Sequence, residues 1–128
     1  MGEIVWVSLP LCVILAFVVG GLWYGPLFQN AWMADTGMTD DKRGPPVKVF
    51  GGAAVHALIG ALAVSLLLDR TTGVAAHVSG GLIIGVAAAA ALGINYMFAA
   101  RPRRLLYIDG GYTVVLYGAM GLVIGLVK

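Results

Sequence analysis

Apolar residues run along this chain in long blocks, and polar residues gather in short stretches between them. Four blocks reach the roughly 20 residues that an α-helix needs to cross a hydrocarbon layer. They cover residues 4–24, 49–68, 78–100 and 105–127. None alternates polar with apolar positions as a membrane barrel strand must. Runs such as "VAAAAALG" are rich in alanine, which favours helix. The pattern predicts an all-α fold, a four-helix transmembrane bundle in one domain. Pro10 should kink the first span or lie near its start.

The first block ends in "GGLWYGPLFQNAW". Trp23 and Tyr24 are placed where amphipathic rings prefer to sit, at the boundary between lipid and water. Gly25 and Pro26 are expected to stop the helix there. Leu27, Phe28, Ala31 and Trp32 then recur at helical spacing, with Gln29 and Asn30 between them. This predicts a short amphipathic interfacial helix in the first loop. Gly37 is a fitting residue to close it. "TDDKRGPP" reads as a polar turn before the second span.

Composition agrees with lipid as the solvent. The chain has 128 residues, 60% hydrophobic and 11% charged, with a mean hydropathy of +0.94. So short a soluble domain could not hide that much apolar surface. The net charge of +2 gives no reason to expect nucleic acid. Cys12, the single cysteine, cannot form an internal disulfide and reads as a small packing residue. The first block has no basic n-region and is long, so it reads as a retained span rather than a signal peptide. Lys42, Arg43 and Lys48 lie in the first loop, and Arg101, Arg103 and Arg104 in the third. Only Arg70 and Lys128 lie on the other side. The excess places loops one and three in the cytoplasm and both termini outside. The three arginines of the third loop also suit contact with anionic lipid.

Small residues recur along the spans: Gly21 and Gly25, Gly81 and Gly85 extended by Ala89 and Gly93, and Gly121 and Gly125. Ala53, Ala57 and Ala61 add a second-span stripe. Such residues let helix backbones approach closely. They predict tight packing, within the chain or between copies. The third span is small on nearly every face between Ala87 and Gly93, which suggests a central position.

Polar side chains inside spans are costly and therefore informative. At a rise of ~1.5 Å per residue, His56 lies about 10 Å beyond Val49. Asn95 is about 8 Å inside the end of the third span by the same count, and Asp109 about 6 Å inside the fourth. Tyr112 is one turn deeper. These four form a candidate polar cluster at one level, on the same side as Trp23, Tyr24 and Tyr96. The simplest reading makes His56, between Gly52 and Gly60, a hydrogen-bond donor across a helix contact. A proton-relay or cation role and a metal or haem ligand role are its alternatives. His77 reads as a helix-end residue. Asp109 reads as a first-turn carboxylate favoured by the helix dipole and paired with Arg104, or else as an acid that binds protons or cations. Asn95 reads as an interhelical hydrogen-bond partner.

No HExxH, GxSxG, P-loop or cysteine cluster is present. The sequence therefore predicts a non-enzymatic protein with no catalytic residue, no metal site and no cofactor. Two separated stretches, "GGLWYGPLFQNAWM" and "YIDGGYTVVLYGAMGLVIG", resemble the bacterial family of small membrane proteins known as domain of unknown function 1761. The likeness covers essentially the whole chain, although Gly110 stands where that family often has alanine. It implies a bacterial inner-membrane protein and carries no activity. It draws attention to Trp23, Tyr24, Pro26, Leu27, Phe28, Trp32, Asp109, Gly111 and Tyr112. The leading functional expectation is a bundle that binds a protein partner or lipid, as a homo-oligomer or a subunit of a larger complex. The alternatives are an oligomeric transporter or channel using His56, Asn95 and Asp109, and a cofactor-binding protein with His56 as ligand.

Overall fold

The structure, a computed structural model, describes residues 4–68 and 73–128. Arg70 lies outside the described residues. All regular elements among the described residues are helical. Helix α1 covers Ser8–Leu22, α2 Gln29–Thr36, α3 Pro46–Leu67, α4 Val74–Phe98 and α5 Arg103–Val127. Four of these stretches are long and apolar enough to cross a membrane: Ser8–Leu27, which joins α1 to the turn after it, and α3, α4 and α5.

Local sequence explains the helix ends. Pro10 is the third residue of α1, where its missing N–H belongs to a group that has no partner inside the helix in any case. Pro46 opens α3 at its first position, pre-set for helix by its ring. Gly37 closes α2 with φ at +73°, the left-handed cap that glycine adopts without strain. Lys128 Nζ donates to the Leu68 carbonyl at 2.6 Å, a cation beside the negative end of α3.

Gly25 and Pro26 do not stop the first helix, contrary to expectation. The chain continues through a π-helical turn, Trp23–Leu27. A proline in an α-helix collides with the carbonyl four residues earlier. The wider π turn accommodates it, and the Phe28 N–H reaches back to the Trp23 carbonyl at 2.9 Å. Only at Phe28, with φ −128°, does the chain leave the helix and turn into α2.

The second correction concerns the centre of the bundle. It is α5 that packs against α1, α3 and α4, while α4 packs chiefly on α5. A core of Leu9, Cys12, Ala16, Ala61, Val64, Leu116, Met120 and Ile124 joins α1, α3 and α5. Contact between α4 and α5 is close enough to involve backbone. A Cβ added at Gly81 would fall 2.2 Å from the Tyr117 carbonyl oxygen, and one at Gly121 would fall 2.2 Å from that of His77. Gly85 faces the Val114 Cα at 2.7 Å by the same construction. Gly21 and Gly25 face open space instead. His77 lies in the first turn of α4 and is fully buried in this seam. Along the outer face of α4, Ile83, Val86, Ile94, Met97 and Phe98 are exposed.

Candidate functional site

The turn after α1 and the first part of α5 interlock. Trp23 Nε1 donates to the Ile108 carbonyl at 2.8 Å. Its ring lies over Gly111, where a Cβ would approach Trp23 Cζ2 to 3.0 Å. Phe28 also packs against that ring, with centroids 5.0 Å apart. Tyr24, the next residue, donates its hydroxyl to Asp109 Oδ1 at 2.6 Å. Its ring meets Tyr112 and Trp32 edge-on, at 5.3 Å and 5.7 Å. Tyr112 donates to the Ala16 carbonyl at 3.1 Å and lies against Gly20. The two sequence motifs are thus two halves of one contact. Pro26 and Leu27 serve it indirectly: they belong to the π turn that aims Trp23 and Tyr24, and their own side chains are exposed.

Asp109 is half-buried in the second turn of α5, not the first, because the helix already starts at Arg103. The dipole explanation therefore fails, since that field is felt chiefly in the first turn. Arg104 is not its partner either. The Arg104 guanidinium makes a two-pronged ion pair with Asp35 of α2, at 2.8 Å and 2.6 Å. That pairing holds the Asp35 carboxyl below the usual carboxylate range. Asp109 accepts a second phenol hydroxyl instead, from Tyr96 of α4 on Oδ2. Thr113 Oγ1 donates to the backbone carbonyl of Asp109 at 2.9 Å.

Asp109, Tyr24, Tyr96 and Tyr112 lie on the wall of a cavity of about 950 Å³. Segments of α1, α2, α3, α4 and α5 line it, with Arg43 from the first loop. Its remaining wall is mainly apolar, with Phe17, Phe50, Leu92, Leu116 and Met120 among the lining residues. The side chain of His56 lines the same cavity. Its Nδ1 lies 2.7 Å from the Gly52 carbonyl of its own helix, rather than reaching a neighbouring helix. A carbonyl only accepts, so Nδ1 carries a hydrogen and Nε2 is left without that bond. Among the cavity's lining residues His56 is joined by no second histidine.

Asn95 stands apart from the other three candidates. It is exposed on α4 and does not line the cavity. Arg101 and Arg103 are exposed at the same end of the molecule as the Asp35–Arg104 pair. Among the described residues no group of three His, Cys, Asp or Glu side chains is placed to hold a metal ion.

Sequence reasoning placed Tyr96 at the right level but not on Asp109, and it missed the Asp35–Arg104 pair and the cavity positions of Arg43 and Tyr117. Helical period gives depth along each axis. It does not give rotation about that axis, which decides who touches whom.

No curated protein and no solved structure matches the chain. A family model does, over residues 7–125, under the description "Protein of unknown function (DUF1761)". The matched stretch contains both interlocked motifs and all four spans almost entirely, so the chain belongs to the DUF1761 family.

Proposed function

We propose that this protein is a membrane-embedded binding protein rather than an enzyme, and that its working part is the cavity beside Asp109. One observation carries this reading: a space of about 950 Å³ has mainly apolar walls, with the polar cluster of Asp109, Tyr24, Tyr96 and Tyr112 set among them. That is the usual make-up of a small-molecule site, where apolar surface supplies affinity and sparse polar groups orient the ligand. The size suits an amphiphile such as a lipid. The Tyr24, Tyr112 and Thr113 hydroxyls are tied into the framework, donating to Asp109 or to backbone carbonyls.

Native mass spectrometry in mild detergent tests the reading. The wild type should retain an amphiphile, and Ala53→Trp, which fills the cavity from α3, should lose it. A protein that emerges bare, or a filled variant that retains as much, overturns the proposal. The same spectra report whether the unit is a monomer, a homo-oligomer or a subunit of a larger complex.

The location we propose is a bacterial inner membrane. The ion pair between Asp35 and Arg104 supports placing the first and third loops on one side. The positive-inside rule makes that side cytoplasmic. In a Cys12→Ser background, a cysteine at Thr39 should react with an impermeant maleimide only after the membrane is opened from within.

Transport is the second reading, favoured by the fact that His56 and Asp109 line one cavity. Flux in liposomes that vanishes with Asp109→Asn supports it, and absence of flux removes it.

A further inference from the structure

The geometry points to a lipophilic organic cation, an amine or quaternary onium carrying apolar groups, as the ligand of the Asp109 cavity. This rests on the binding reading above and assigns its chemical class.

The first support is charge. Both Asp109 oxygens accept hydroxyl hydrogens, from Tyr24 and Tyr96, so the carboxyl group is met by neutral donors alone. No Lys, Arg or His nitrogen among the described residues pairs with it. Arg104, on the same helix, is committed to Asp35. Arg43, the cation on the cavity wall, is paired with Asp40 at 3.2 Å in the polar loop. A carboxylate within a span, facing a cavity and lacking a protein counter-ion, is a site for a cation brought by the ligand. Hydroxyl donors leave it free to take one, because a carboxylate offers about four acceptor positions.

The second support is the wall. Tyr24, Trp32 and Tyr112 meet edge-on beside that carboxylate and line the same space. Ring faces attract a diffuse cation, most strongly when water is excluded. An anionic amphiphile would face the Asp109 carboxylate, and a neutral tail would leave it with hydroxyl partners but no counter-ion.

Tetraphenylphosphonium and tetraphenylborate share a shape and differ in sign, which makes them the probes of choice. Binding to the purified full chain in maltoside is measured by equilibrium dialysis, each corrected for protein-free micelles. The cation should bind about tenfold or more tighter than the borate, the scale of one charge pair at the effective dielectric of a partly exposed site. Asp109→Asn should remove that preference. Should this variant fail to fold, Trp32→Leu tests the wall independently: it should weaken the cation roughly three- to tenfold and leave the borate unchanged. Equal binding of the two ions, no binding of either, or a cation preference that survives Asp109→Asn overturns the proposal. If both ions bind equally and Ala53→Trp removes both, the cavity reading stands while the cation assignment falls.

Discussion

Ala100 holds φ at +54° in the turn between α4 and α5, the one non-glycine residue among those described with positive φ. The turn is a Schellman cap. The Arg101 N–H reaches the Tyr96 carbonyl at 3.0 Å, and the Ala100 N–H reaches that of Met97 at 3.2 Å. The left-handed position normally belongs to glycine, because a Cβ there crowds the following carbonyl by about 1–2 kcal/mol. Glycine has more freedom to lose on folding, which offsets part of the gain. Ala100→Gly should therefore stabilise the protein by roughly 0.5–1 kcal/mol, read from unfolding in mixed micelles. A second residue, Trp23, joins two helices through one N–H. Trp23→Phe keeps the ring over Gly111 but drops the bond to Ile108, at about 1 kcal/mol. A loss indistinguishable from zero would show that packing alone holds this contact.

The elements differ in how their small residues are used. Gly81 and Gly121 stand against carbonyl oxygens of the facing helix, whereas Gly21 meets nothing. Gly81→Ala or Gly121→Ala must push α4 and α5 apart, since backbone cannot swing aside as a side chain can. Each should destabilise by about 2 kcal/mol or more, while Gly21→Ala should be neutral or slightly stabilising, as alanine is the better helix former. Equal effects at all three sites would contradict the seam.

The same comparison shows what the sequence made legible. The four spans could be read directly, because lipid demands long apolar blocks and the chain supplies four. The central helix could not. Alanines from Ala87 onward measure how closely α4 can be approached, not from how many sides, and neighbours reach it chiefly along the glycine seam. The π turn was also hidden, because Pro26 signals that an α-helix cannot continue unchanged, without saying whether it ends or widens. At the candidate site, the level of Asp109 and Tyr112 was legible from spacing, but the ring of Tyr24 on Asp109 depends on how that turn rotates.

For the whole molecule, the polar end is closed by a clip between distant parts of the chain. Asp35 on α2 and Arg104 at the start of α5 join the first loop to the central helix. The loop carries Trp32, which meets Tyr24 edge-on in the cavity lining, so the clip helps hold one wall of the site. Arg104 bonding lowers the Asp35 carboxyl below its ordinary value of 3.8. A group whose folded value is lowered contributes fully above its unfolded value and loses that contribution as the pH falls through the folded one. Loop order should thus be constant from neutral pH down to about 4 and loosen below it. Hydrogen exchange over residues 29–43 measures this. The segment also carries Asp40 and Asp41, so the informative quantity is the difference between wild type and Asp35→Asn. That variant should exchange faster than wild type at pH 6, with the gap closing as the pH falls through the lowered folded value of the wild-type carboxyl. Added salt should narrow the gap, because the arginine is largely exposed and its field is screened. A gap that persists unchanged at low pH would mean that α2 is held by its aromatic contacts alone, and that the ion pair merely accompanies them.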